Sequence, residues 1–299
     1  MKKIEILAPA GNINKLKVAL DSGADAVFVG GRILNLRAGT ENFSDENLKS
    51  AVELVKSKNK KIYLNLNAVP HNEELENLPE YLKFLQTLEL DGVIVSDMGV
   101  FQCVREFSDI PVTVQTHSSN TNYKAVEMWK KMGAKKIVLD RDISLDNIAE
   151  ICARVSGIEI ELFVQGPVNL AISGRSILTN YMKAKDSYHE NIQGKKFLLK
   201  EETRPEENME IYEDVYGTYI FSSKDLCAIE YLDKILDLGI KTLKIEGGMR
   251  DELYLSTVVS VYREAVDLYS LGKYQYNPLW KEKMEKTRNI PFFNWFLRN

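Results

Sequence analysis

GAKKIVLDRDISLDNIAEICARVSGIEIELFVQG, residues 133–166, carries one full repeat of the chain's architecture. Gly133 stands just after a helical pattern and just before an apolar run, where a helix C-terminus favours glycine. KIVLDRD (136–142) then reads as a strand. Ser144 is placed to cap the next helix, because its hydroxyl can accept from a free N–H of the first turn. Cys152 falls on the helical pattern that follows, and IEIELFVQG (158–166) reads as the next strand. Strand, amphipathic helix, strand is the signature of parallel strands joined by a crossover.

The same alternation extends in both directions. IEILAPA (4–10), ADAVFVGG (24–31), KIYLNLNA (61–68), GVIVSD (92–97), PVTVQTH (111–117) and KTLKIEG (241–247) complete a set of eight apolar runs. Amphipathic segments such as NINKLKVALDSG and DENLKSAVELVKSKN lie between them, the second behind Ser44 as a further N-cap. Eight such units predict an α/β fold of the (β/α)8 TIM-barrel type. An open doubly wound sheet is the alternative, but no G-x-G-x-x-G follows the first run.

With 299 residues and 44% hydrophobic content, the chain is long enough for such a barrel and its core. Residues 1–271 are expected to form the barrel and 272–299 a C-terminal extension packed on it. The connection between the seventh and eighth runs is out of proportion. About 75 residues separate Gly166 from Lys241, whereas strand–helix loops run roughly 2 to 6 residues. The 167–240 insertion is expected to place a hairpin or lid over the barrel mouth and to return to the eighth strand through a helix spanning YGTYIFSSKDLCAIEYLDKILDLG. Net charge is −4, from 39 basic and 43 acidic residues, which gives no footprint for general nucleic-acid binding. Three widely spaced cysteines make neither a disulfide framework nor a C-x-x-C pair. No run of 18 apolar residues or apolar leader is present, so the expectation is a cytoplasmic protein with no membrane span.

In a barrel, alternate strand residues face inward and chemistry collects at the C-terminal strand ends. That rule turns Asn65 and Asn67, Gln115 and His117, Glu161 and Gln165, and Lys244 and Glu246 inward, with Arg141 on the sixth strand. Glu161, His117, Lys244 and Glu246 are the candidate catalytic groups. Asn65, Asn67, Gln115, Arg141 and Gln165 are the candidate substrate-binding groups. The bland alternative is that Glu161 and Lys244 are a structural pair filling the interior. His71 and His189 have no partner at ligand spacing, and no metal site is expected. No H-E-x-x-H is present, and Cys227 is the one cysteine expected near the mouth.

ELFVQGPVNLAISGRSILT (161–179) resembles a known signature, roughly E-x-F-V-H-G-A-x-C followed by S-G-x-C. Glu161, Phe163, Gly166, Ser173 and Gly174 match it; Asn169 and Ser176 stand where it has cysteines. EILAPAGN (5–12), LRAGTENFS (36–44), KIVLDRDISLDNI (136–148), SSKDLC (222–227) and LKIEGGMR (243–250) resemble further segments of the same set in the same order. The set is that of peptidase family U32, a collagenase-like family that includes RNA- and quinone-precursor-hydroxylating proteins.

The resemblance implies chemistry on a four-cysteine iron–sulfur cluster. Two thiolates would come from the signature, a third from near 188–195 and the fourth from Cys227. Only Cys227 is present here, and amides or hydroxyls bind iron poorly, so the expected cofactor is none. The resemblance further implies prephenate-dependent hydroxylation of a tRNA or rRNA base or a quinone precursor. By that route the mouth would bind a small carboxylate, an aromatic or a nucleobase, with Arg141 as the anion partner. One alternative is a peptidase acting on a peptide or protein. Another is a non-catalytic companion that forms a hetero-oligomer with a cluster-bearing family member.

Overall fold

A computed structural model describes residues 4–36, 42–116, 119–185, 192–214, 217–248, 250–287 and 291–293. Eight parallel strands form a closed ring: β1 (Glu5–Pro9), β2 (Ala26–Gly30), β3 (Lys61–Leu66), β4 (Gly92–Val95), β5 (Val112–Val114), β6 (Lys136–Val138), β7 (Glu159–Ser173) and β11 (Thr242–Ile245). β11 pairs with both β1 and β7, which closes the barrel. All eight strands fall where the alternation of the sequence puts them.

The helices pack outside the ring because the outward side chains are apolar. Ile62, Leu64, Val93, Val95, Val112, Val114, Ile137, Leu162, Leu243 and Ile245 share one core with the helix faces. Ser44 caps α2 (Asp45–Ser57) and Ser144 caps α7 (Leu145–Arg154), each accepting from the N–H three residues on. Gly133 ends α6 (Tyr123–Met132) at φ +104°. The interior layer is different: Leu7, Ala26, Phe28, Tyr63 and Ile94 form a separate small cluster inside the ring.

The insertion departs from expectation in one respect. β7 does not stop at the rim but runs on to Ser173, and its upper part pairs antiparallel with β10 (Gly217–Cys227). Residues 167–173 pair with β10 alone. β9 (Arg204–Asp214) and β8 (Lys196–Glu201) continue this ladder outward beyond α8 (Ile177–Ala184). The first half of the segment read as a returning helix is therefore strand β10. Only α9 (Leu232–Asp237) is α-helical there, preceded by one 3-10 turn. GTYIFSS is rich in aromatic and β-branched residues, which fit a pleated surface better than a helix.

After β11, α10 (Glu252–Ser270) packs outside the ring against β1, and α11 (Pro278–Glu285) buries Trp280 and Met284 in the main core. β12 (Phe292–Phe293) adds to β10. Among the described residues no helix is long and apolar enough to cross a membrane.

Candidate ligand site at the barrel mouth

The floor of the interior is a ladder of charge. Glu5, Lys136, Glu159, Glu161 and Lys244 all point inward, as the period-two alternation requires. Lys136 lies 3.1 Å from Glu5, 3.1 Å from Glu159 and 3.4 Å from Glu161. Lys244 lies 3.3 Å from Glu161, and both side chains are 1% exposed. The structural pairing weighed for Glu161 is thus present, and it has a second cation that strand spacing alone did not single out.

The two lysines are tuned in opposite directions. Burial alone would lower Lys136, but the pull of Glu161 and Glu5 overrides it and raises the pKa. Burial also lowers Lys244; there Glu161 and Glu246 offset it only in part, Arg141 adds repulsion, and the result stays low.

Above this floor the mouth holds a cavity of about 70 Å³. Asn65, Asn67, Gln115, Arg141, Lys244 and Glu246 all line it. The Lys244 ammonium donates to Gln115 Oε1 and sits 4.5 Å from the centre of the Phe28 ring. Arg141 pairs with Glu246 at 3.3 Å and lies 3.7 Å above the Phe163 ring. Asn67 Oδ1 accepts from the Leu36 N–H, fixing the β2–α2 connection that forms one wall. Two cations and one carboxylate therefore converge on a small polar cavity at the C-terminal strand ends.

Two expected site residues stand elsewhere. Glu161 is fully buried beneath the cavity rather than on its surface. Gln165 turns away from it: its Oε1 faces the Tyr262 hydroxyl on α10 at 3.4 Å. The cause is a bulge, since Phe163 pairs with Lys244 but Gln165 with Ile245. The extra residue reverses the alternation. Gly166 follows at φ +115°, and a Cβ there would sit 2.2 Å from the Glu246 carbonyl oxygen, so only glycine fits. His117 lies outside the described residues, as does His189.

Further lining residues were not singled out by alternation. Phe28 sits inside the ring, Asn35 and Asn42 sit on the β2–α2 connection, and Asn169 and Tyr219 belong to the ladder above the rim. Asn42 and Asn169 do fall within the signature segments, and that was the one signal that could have found them. Ser176 is the residue before α8 and does not line the cavity. Cys227 is not at the mouth: it is 3% exposed and packs in the main core with Tyr262. Two signature segments are tied together instead by Arg250, whose Nη2 lies 3.2 Å from both oxygens of Asp225, itself 1% exposed. Arg250 is therefore not the free loop residue that its position after the eighth strand suggests.

A family model described as Peptidase family U32 matches residues 11–299. The chain is 38% identical over 295 residues to tRNA hydroxylation protein P1 of Bacillus subtilis (strain 168), covering 96% of this chain and 69% of that one. It is 32% identical over 295 residues to tRNA hydroxylation protein P2 of the same strain, covering 97% and 94%. Among solved structures, a U32 peptidase superposes with a TM-score of 0.50 at 16% identity, over 82% of this chain and 93% of that one.

Proposed function

The chain belongs to peptidase family U32, and from that premise we propose that it serves tRNA hydroxylation by binding a small carboxylate at the barrel mouth. The observation that carries the reading is the 70 Å³ cavity lined by Arg141 and Lys244. At roughly 10–15 Å³ per water, such a space takes a few waters or the head of a small ligand. Arg141 offers the planar fork suited to a carboxylate. The described lining residues include no serine, threonine, cysteine or histidine, so they offer the peptidase alternative no nucleophile–base pair.

The same reading gives the chain no iron–sulfur cluster of its own. Asn169 and Ser176 supply an amide and a hydroxyl where the signature has thiolates, and Cys227 is a buried core thiol. No step is assigned to a cluster. Anaerobically purified protein should contain no stoichiometric iron or acid-labile sulfide.

The test of function is tRNA itself. Deleting the gene in the source organism should remove a nucleoside 16 Da heavier than its parent from digested tRNA, read by mass spectrometry. Re-expression of the wild-type chain should restore it, and Arg141→Ala should not. An unchanged nucleoside profile in the deletion strain sinks the reading.

One finding favours a companion role as a second reading. Bacillus subtilis has two relatives, P1 and P2, and the chain spans nearly all of P2 but about two thirds of P1. Affinity purification of the tagged chain should then bring down a longer barrel with all four cysteines.

A further inference from the structure

Five asparagines line the mouth cavity, and they are not equivalent. Asn35 Nδ2 donates to Asn42 Oδ1 at 2.6 Å, and Asn67 Oδ1 accepts from Leu36 N–H. These three hold the wall together. Asn65 Oδ1 and Asn169 Oδ1 are buried and accept no hydrogen bond. Buried acceptors are almost always paired, and one left open in a cavity calls for a donor from outside the chain. Asn65 lies on β3 inside the ring and Asn169 on the part of β7 above the rim, so the two reach the cavity from different elements. Among the described residues no donor fills the gap: the Lys244 ammonium is directed to Gln115 and Glu161, and Arg141 pairs with Glu246.

We propose that Asn65 and Asn169 are specificity-determining residues that select a small carboxylate carrying two hydroxyl donors over one of the same size without them. The inference rests on the carboxylate reading above and deepens it. Each Oδ1 accepts one hydroxyl, while Arg141 takes the carboxylate. The amide at position 169 thereby acquires a use that a thiol could not serve, because sulfur is a weak acceptor.

Propionate, lactate and glycerate form the matched probe series: three carbons, one carboxylate, and zero, one or two hydroxyls. Titration of the full chain with each, followed by NMR, should place glycerate about tenfold or more tighter than propionate, with lactate between. Asn169→Leu and Asn65→Leu should each close about half of that gap on a logarithmic scale. Asn169→Asp keeps the acceptor but adds a repelling charge, so it should weaken all three ligands and preserve their ratio. Should a leucine variant fail to fold, the wild-type series and the aspartate variant decide. Equal affinity for the three acids overturns the inference and leaves the carboxylate reading standing, as does a gap that the leucine variants leave intact. Binding of none of them overturns both.

Discussion

Lys136 and Lys244 occupy the same barrel interior and share Glu161, yet the floor and the mouth treat them oppositely. At the floor, Lys136 meets three carboxylates within 3.4 Å. Toward the mouth, Lys244 meets Glu161 at 3.3 Å and the neutral oxygen of Gln115, feels Glu246 less strongly and is repelled by Arg141, with burial slightly deeper. Desolvation of a cation is similar in both places; the number of nearby carboxylates decides which effect wins. The floor is over-compensated and structural. The mouth leaves a cation under-compensated beside a cavity, which is the condition for an incoming anion to matter.

The largest expected effect falls on the floor. Lys136→Met removes the cation shared by Glu5, Glu159 and Glu161, leaving Glu5 only Lys61 and Glu161 only Lys244, and breaking such a buried group costs about 3–5 kcal/mol. Lys244→Met should cost less, about 1–3 kcal/mol, because Glu161 keeps Lys136. Urea denaturation of both variants measures the difference; equal costs would erase the distinction between floor and mouth. Glu161→Ala combined with Lys244→Ala should cost clearly less than the two single changes added, since the partners touch. Outside the ring, Arg250→Ala strips the buried Asp225 of its cation and should lower stability by about 1–3 kcal/mol, read by the same denaturation.

The smallest effect is one of pH. Lys244 has a lowered pKa in the fold, so between that value and the ordinary one near 10.5 the unfolded chain holds more protons. Stability drawn from Lys244 therefore rises with pH across that window. Lys136 is raised, so its contribution is complete below about 10.5 and is lost only above it. The cost of Lys244→Met should grow as pH climbs toward 10.5, while that of Lys136→Met stays level there and shrinks beyond. Denaturation midpoints of the wild type and both variants from pH 8 to 11 check the opposite slopes; parallel curves would contradict them.

The ring was legible because its signal is periodic. Outward Leu162, Val164, Leu243 and Ile245 and inward Glu161 and Lys244 follow from alternation, and so does the gathering of Asn65, Gln115 and Glu246 at one end. Gln165 was misread because a bulge adds a residue without leaving a pattern, although the glycine after it hints at strain. Asn35 was missed because a loop residue has no phase from which to read its direction. The Arg250–Asp225 pair was not legible because the partners lie 25 positions apart and Asp225 sits on a strand read as helix.

The upper half of β7 has a kinetic consequence. Asn169 is registered against Phe221 and Ile172 against Tyr219, so both roof residues of the cavity hang from one ladder. That ladder lies above the ring, where β7 has β10 as its single neighbour. When it frays, Asn169 and Tyr219 leave together. A ligand bound as proposed would then lose both roof contacts in one event, and its residence time would depend on strands outside the barrel as well as on the charge at the floor.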